Sequence, residues 1–555
     1  MIRRSLYSPI NTNPTDNGDP LSTIKTLAGV ATAMDMDDVA AMVASRSVDC
    51  TFMDETTRIL TQHVYSAFPS PPPLPTSAAA AASSSLVGAA PNDGADRISF
   101  LPDDTLRGVV SPLPVKDAAR TTALSRRWRG IWPSIPLALA DAHGPPPRRR
   151  RAPRPRRAPI HITGASMPAH PAGVARRLHL LAARGVQELV FVNRPTAAGE
   201  QLEIISGGGL FSCTSLTRLH IGFWSIPDTS VLPPAAVFPC LRELGLGCVA
   251  ADERDLAFLI ERCPVLEKLI VVASCCAVPI RIRSGSLRCV QVCSSVVPEI
   301  TVGHASVLER LLLWQVCGKS SGPVTLSTRI RIGYAPNLRF LGFLVPGMHQ
   351  LQIGNTLIKA GTKACSSITV PSVRILAVQV KLGTHIKAMM LPSFLRCFPN
   401  TETLYVQSED DDIIHPRGRG LASISGDGQL DLKFWEEADP IECVQRSIKK
   451  VILRDFRGRR SELDFLRFVA ERAQVLEKMV VEMAHGFSPW DQVGAKLKTF
   501  MDAAKWANRC CTLTVSDNPF SEEKGTPWCY LRAFDRSIED PFDASKCVDG
   551  KCQSN

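Results

Sequence analysis

One six-residue pattern recurs along this chain and restricts what it can fold into: an apolar residue, two positions of any kind, a second apolar residue, one free position, and a third apolar residue. Instances begin at Val186, Leu216, Leu241, Leu266, Leu287, Leu308, Leu338, Val373, Ile448 and Val475 or Leu476, with a degenerate copy at Thr401. In a chain that is 45% apolar, three such positions coincide by chance about one time in eleven. The pattern gains weight from proline. Pro239, Pro264, Pro336, Pro371 and Pro399 each stand two residues before an anchor, in FPCL, CPVL, APNL, VPSV and FPNT. Proline supplies only 42 of 555 residues, so about one such hit among eleven anchors is the chance expectation. Proline ends a helix and pushes the residue before it towards extended backbone. Each unit therefore predicts a helix that stops, then a strand.

Anchor spacings run from 21 to 47 residues and centre in the upper twenties, the period of a strand-plus-helix solenoid. Two units match each other directly: FLIERCPVLEKLIV from Phe258 and FVAERAQVLEKMVV from Phe468. In both, the first half has helical spacing and the second reads as a strand. The expected unit has a parallel strand inside and a helix outside. Aromatic residues are only 6%, consistent with an aliphatic core.

Charge does not point to a nucleic-acid surface. The formal net charge is +11, but Arg148 to Arg157 (RRRRAPRPRR) holds seven arginines and no acid. Removing it leaves 11 − 7 = +4 for the rest, so a basic face spread over the fold is not expected. The run also lacks interleaved aromatics for base stacking; it reads as a solvated linker or an import signal. The 18 cysteines would suit a disulfide scaffold only behind a secretion signal. The first residues, MIRRSLYSPINTNPTDNGDP, contain no apolar stretch of that kind. The most apolar run, Leu269 to Ile280, is too short for a bilayer and contains Pro279. The expectation is a cytoplasmic or nuclear protein with reduced thiols and no membrane contact.

Order along the chain divides as follows. Residues 1–95 are weakly patterned and include the low-complexity run Pro69 to Ser85, so disorder is expected. Residues 96–136 hold three short helical pieces bounded by proline: Asp103 to Val110, Val115 to Leu124, and Ser125 to Trp132. A Pro/Arg-rich linker spans 137–159, the repeats span 160–438, a further repeat segment spans 439–515, and 516–555 form a C-terminal tail.

The stretch DRISFLPDDTLRGVVSPLPVKDAARTTALSRRWRGIWPSIP resembles an F-box of the plant FBD/leucine-rich-repeat family. Asp96, Ile98, Leu101, Pro102, Asp103, Leu106, Leu113, Pro114, Lys116, Asp117, Ala118, Arg120, Thr121, Leu124, Ser125, Arg127, Trp128 and Trp132 carry the match. Asp439 to Met483 is similar to the FBD segment of such proteins, through Ile448, Val451, Leu453, Phe456, Gly458, Glu462, Phe465, Ala473, Leu476 and Met479. The resemblance implies an α/β fold: a small all-α three-helix F-box, then an irregular leucine-rich-repeat solenoid. It also implies a substrate-recruiting adaptor, docking through the F-box on a Skp-type adaptor of a cullin–RING ubiquitin ligase and holding a protein substrate on its repeats. Carried over by position, Leu101, Pro102, Leu106, Val110, Leu113, Pro114, Leu124 and Trp128 are the adaptor-binding or core residues. Thr105, Gly108 and Pro112 depart from the usual pattern; a helical glycine costs about 1 kcal/mol relative to alanine. The alternative is a repeat-based interaction scaffold that recruits no ligase.

Other chemistry finds no constellation. Cys275-Cys276 and Cys510-Cys511 are adjacent pairs, and no C-x-x-C knuckle occurs, so no metal or cofactor is expected. Gly318-Lys319-Ser320 ends like a phosphate loop, but Leu313 stands where its first glycine belongs. His63, His220 and His415 pair with no nucleophile by spacing, and the chain is not expected to be an enzyme. Strand alternation instead brings Arg218, His220, Ile270, Arg310, Leu312, Trp314, Phe340, Leu344, Tyr405 and Arg454 to one face. Exposed together they would form the candidate substrate face; the alternative is that neighbouring segments cover them.

Overall fold

The computed structural model describes residues 60–69 and 101–106 in part, then 120–131, 137–140, 160–164, 171–193, 207–317, 327–409, 434–517 and 530–552, with short breaks within several spans. The first six strands are β1 (Leu137–Ala140), β2 (Ile160–Gly164), β3 (Glu188–Asn193), β4 (Arg218–Gly222), β5 (Glu243–Gly247) and β6 (Lys268–Val272). Outer and inner strands then alternate: β7 (Ile280–Arg283), β8 (Cys289–Val296), β9 (Glu299–His304), β10 (Arg310–Cys317), β11 (Thr328–Tyr334), β12 (Phe340–Leu344) and β13 (His349–Ile353). β14 (Thr356–Leu357) folds back on β13. The series ends with β15 (Ile375–Val380), β16 (Thr403–Ser408), β17 (Lys450–Phe456), β18 (Lys478–Met483) and β19 (Thr512–Ser516).

Fourteen of these form one parallel sheet, ordered β1-β2-β3-β4-β5-β6-β8-β10-β12-β15-β16-β17-β18-β19. Neighbours follow chain order throughout, as a solenoid requires. Every anchor named above lies two residues ahead of its strand and is at most 2% exposed. Of the last pair it is Leu476, not the exposed Val475, that is buried.

The prolines have a more specific role than ending helices. Leu241, Leu266, Leu338, Val373 and Thr401 each donate their N–H to the carbonyl three residues back, which places proline second in a β-turn. Its fixed φ suits that position, and the turn delivers the anchor into the core. The next residue is charged in most units. Arg242, Glu267, Arg288, Glu309, Arg374, Glu402 and Lys449 stack along the strand entrances, with Arg288–Glu309 at 2.7 Å and Lys449–Glu402 at 3.1 Å. Exposed pairs add about 0–1 kcal/mol each, so aliphatic burial holds the stack.

Helices back the flanking repeats, among them Glu253–Glu261, Met390–Arg396, Arg460–Arg472 and Gln492–Asp502. Asp252 and Asp491 cap two of them: Asp252 accepts from the Asp255 N–H at 2.7 Å, and Asp491 from the Val493 N–H at 2.7 Å. The middle repeats differ from the expected unit. Behind β6, β8, β10 and β12 the outer layer is a second sheet, β14-β13-β11-β9-β7. The segments there, IRIR, EITVGH, TRIRIGY and HQLQI, alternate in burial with period two. Between the anchors Leu266, Leu287 and Leu308, 21 residues apart, there is room for a strand but little for a helix and its connections; β11 and β13 lie in longer units and continue the outer sheet that β7 and β9 begin.

Two described elements lie inside spans expected to be linker or disordered. β1 lies inside the span expected to be linker; its sequence, Leu-Ala-Leu-Ala, is apolar enough to extend the sheet edge. Within the N-terminal region expected to be disordered, residues 60, 61, 63–65 and 67 are helical, and Val64, Tyr65, Ala67 and Phe68 are buried against the main sheet.

Candidate functional site

The short helical module before the repeats is described in part. Leu106 is fully buried and donates its N–H to the Pro102 carbonyl at 3.0 Å. Trp128 and Ile131, on the helix Arg126–Ile131, are buried. Arg127 ties the module together by pairing with Asp103 at 2.7 Å and donating to the Leu101 carbonyl. Leu101 is half-buried, Pro102 is exposed, and Leu124 is 66% exposed. Val110, Leu113, Pro114 and Trp132 lie outside the described residues. Of the eight docking candidates, Leu106 and Trp128 are thus buried, while Pro102 and Leu124 are exposed.

The larger constellation lies on the face of the main sheet away from the helices and outer strands. Ile270, Leu312, Trp314, Phe340 and Tyr405 gather there in one buried cluster, joined by Phe343, Ala377 and Ile452. Arg310, His220 and Arg454 are buried beside them. Two members of the expected set depart. Arg218 is exposed at the strand entrance, paired with Glu188 at 3.3 Å. Leu344 points instead between the layers, because the register shifts between Leu341 and Leu344; Phe343 takes its place on the face.

That face is covered from both ends of the chain. Val64 and Phe68 lie over β4 and β5, where Gly222 and Gly247 leave room: a Cβ on Gly247 would stand 2.7 Å from Val64 and 2.8 Å from Phe68. Phe68 meets His220 edge-on at 5.0 Å. The rest is covered by residues 530–543, beginning with the helical turn Tyr530–Phe534. His63 Nδ1 and the Tyr530 hydroxyl join the two covers at 3.3 Å.

The second cover is held mainly through its backbone. Gln291 donates to the Tyr530 carbonyl at 3.1 Å. Arg310 donates to the carbonyls of Ala533 at 3.1 Å, Asp535 at 2.9 Å and Ile538 at 2.5 Å, with its guanidinium 4.8 Å over the Phe340 ring. Arg454 donates to the Phe542 carbonyl at 2.7 Å and to Glu482 at 2.9 Å. The Tyr405 hydroxyl donates to Asp540 at 2.8 Å, and Phe542 packs on Phe343 and Tyr405 at 5.4 and 5.6 Å. Burial lowers the Arg310 pKa and raises those of Asp540 and Glu482. Burial first, then the Asp540 charge, drives the Tyr405 phenol far up. The geometry offers hydrogen-bond donors and aromatic seats rather than a nucleophile–base pair.

The alternative of a covered face is therefore the one that holds; sequence reasoning did not say which segments cover it, and it missed Gln291 and Phe343. Strand alternation marks Gln291, two residues after Cys289 on the same face, but a polar residue gives no sign of what it meets. Among the described residues no group of three or more His, Cys, Asp or Glu could hold a metal, and no helix is long and apolar enough to cross a membrane. Cys263, Cys289 and Cys443 are buried, and burial pushes their thiols up to about 12, far from the thiolate a reactive cysteine needs.

Comparison with known proteins adds what geometry does not. Residues 174–406 match the family described as FBD-associated F-box protein At5g56370, LRR repeats, and residues 436–481 match FBD. Relatives in Arabidopsis thaliana include the F-box/FBD/LRR-repeat protein At4g00160, 28% identical over 192 residues, which are 32% of this chain and 41% of that protein. The F-box/LRR-repeat protein At3g26922 is 28% identical over 193 residues, 32% of this chain and 59% of its own length. The FBD-associated F-box protein At5g60610 is 29% identical over 204 residues, 32% and 46% respectively. The chain thus spans roughly two fifths to three fifths of these relatives.

Proposed function

We infer, for a chain that carries the leucine-rich repeats and FBD segment of the plant F-box/FBD/LRR-repeat family, the role of a substrate-recruiting adaptor: its F-box docks on a Skp-type subunit of a cullin–RING ubiquitin ligase, and its repeats hold the protein to be modified. It performs no chemistry itself. Its contribution is proximity, raising the local concentration of substrate beside the transferring enzyme.

The observation that carries this reading is the pairing, in one chain, of the repeat solenoid with a helical module that buries Leu106, Trp128 and Ile131 and leaves Leu124 exposed. An exposed leucine on so small a module is what a partner surface covers, and burying one such side chain contributes about 1.5–3 kcal/mol. Micromolar affinity corresponds to about 8 kcal/mol, so losing two or three of these contacts removes a measurable complex.

Co-purification tests it. The triple variant Leu101→Ala, Pro102→Ala, Leu124→Ala is expected to lose capture of the Skp-type subunit while keeping the thermal transition of the repeats. Equal capture by variant and wild type rejects the docking assignment. If the wild type captures none, the scaffold reading replaces the ligase reading, with Thr105, Gly108 and Pro112 as the departures responsible.

A further inference from the structure

The inner face of a repeat sheet is usable only where nothing lies on it, and here residues 530–543 lie across it from β8 to β17. The manner of attachment is what matters. Buried main-chain carbonyls must find donors, from backbone, side chains or water. In this segment the carbonyls of Ala533, Asp535, Ile538 and Phe542 are met by the side chains of Arg310 and Arg454, and that of Tyr530 by Gln291, beside a few local backbone bonds such as Ile538 N–H to the Asp535 carbonyl. Guanidinium groups present a rigid fork of donors, and donors that meet main-chain carbonyls accept any sequence.

Selectivity comes from the side chains around them. Tyr530 and Phe534, four residues apart, share one side of the helical turn, above a floor that includes Cys289 and Cys293. Phe542 is wedged between Phe343 and Tyr405, and Asp540 takes the Tyr405 hydroxyl. Donors that read backbone, combined with seats that read aromatic and acidic side chains, are the features of a peptide site.

We propose that this face is a peptide-binding groove occupied in cis by residues 530–543, and that an external protein segment of the same chemistry docks there by displacing them: two aromatic residues four apart on a helical turn, followed by an acid-Pro-aromatic end. The groove residues are Gln291, Arg310, Phe343, Tyr405 and Arg454. A tethered segment competes at an effective concentration on the order of 1 mM. An external segment at about 10 μM therefore faces an occupant at roughly a hundredfold excess, and the groove stays closed to weak ligands. The proposal does not depend on the ligase reading, because its test involves neither ubiquitin nor the Skp-type subunit.

The test uses the full chain with a protease site placed within residues 518–529, and a fluorescein-labelled peptide of residues 528–545 read by anisotropy. The uncut chain is expected to bind no peptide at micromolar concentration. After cleavage the labelled peptide exchanges in, and a peptide carrying Phe534→Ala and Phe542→Ala binds at least about tenfold more weakly. A cut chain that loses its cooperative transition, or stays folded and admits no peptide, overturns the proposal and makes residues 530–543 a fixed part of the core. A second variant avoids cleavage: Phe534→Ala with Phe542→Ala in the uncut chain weakens the occupant and leaves the groove intact. That chain should take up the wild-type peptide. Failure to do so, or failure to fold, also overturns the proposal.

Discussion

Glu462 is a carboxylate with no access to water, and replacing it tests whether the FBD segment is built around one capping interaction. It lies in the first turn of the helix Arg460–Arg472 and is fully buried. One oxygen accepts the backbone N–H groups of Arg457 at 3.0 Å and Arg459 at 2.9 Å; the other accepts the Ser408 hydroxyl at 2.6 Å, from the neighbouring repeat. Glu462→Ala leaves three polar groups without partners, each costing about 1–3 kcal/mol when buried. Because the two N–H groups belong to half-buried residues, the total should be about 3–5 kcal/mol. Glu462→Gln keeps one carbonyl oxygen for both N–H groups, and its NH2 can donate to Ser408 once that hydroxyl rotates. Only charge assistance is lost, about 1–1.5 kcal/mol. Urea unfolding followed by tryptophan fluorescence is a suitable assay, since Trp435 packs on Phe465 and Phe468 of the same helix at 5.4 and 4.9 Å. Amide exchange across residues 450–483 localises the effect. A loss below about 1 kcal/mol for alanine, or equal losses for both variants, would refute the capping argument.

Two further outcomes are expected. Gly247→Ala should release the segment around Val64 and Phe68, because its new Cβ would sit under 3 Å from both side chains. The strand itself gains about 0.5–1 kcal/mol from losing a glycine, so amide exchange should rise at residues 60–68 while the repeats hold; unchanged protection there would contradict the packing. His349 accepts the Val345 N–H at Nδ1 and donates from Nε2 to the Val316 carbonyl, both at 3.0 Å, and burial lowers its pKa to about 4. A depressed histidine pKa contributes stability that is present above the unfolded value near 6.5 and is lost as pH falls towards 4. The loss is about 2 kcal/mol by pH 5. His349→Gln should flatten the urea midpoint between pH 7 and 5, and a profile that parallels wild type would sink the assignment.

The repeat frame was legible because anchors and turn prolines answer to local rules: each anchor faces the core, and each proline sits where its φ fits. The outer strands were not, since IRIR and HQLQI are short and the flanking units argued for helices. Alternation found most of the inner face but failed at Leu344, where a register shift exchanges it with Phe343. The covers were invisible for a different reason. Val64, Phe68, Tyr530 and Phe542 are isolated apolar residues in weakly patterned sequence, and only tertiary contact shows what they pack on. Glu462 could be matched to the FBD pattern, but its partners lie partly in another repeat, which sequence spacing does not reveal.

The change of outer layer along the solenoid has a mechanical consequence. A helix with its side chains is about 10 Å across, whereas inner strands advance about 4.8 Å per repeat, so helix-backed units are wedges and must bend the stack. Behind β6, β8, β10 and β12 the outer strands advance by the same step as the inner ones, and the wedge vanishes. The strand-backed middle is therefore expected to be flatter than the helix-backed flanks, a regular plate on which Gln291, Arg310 and Phe343 are set at the spacing of the strands that carry them.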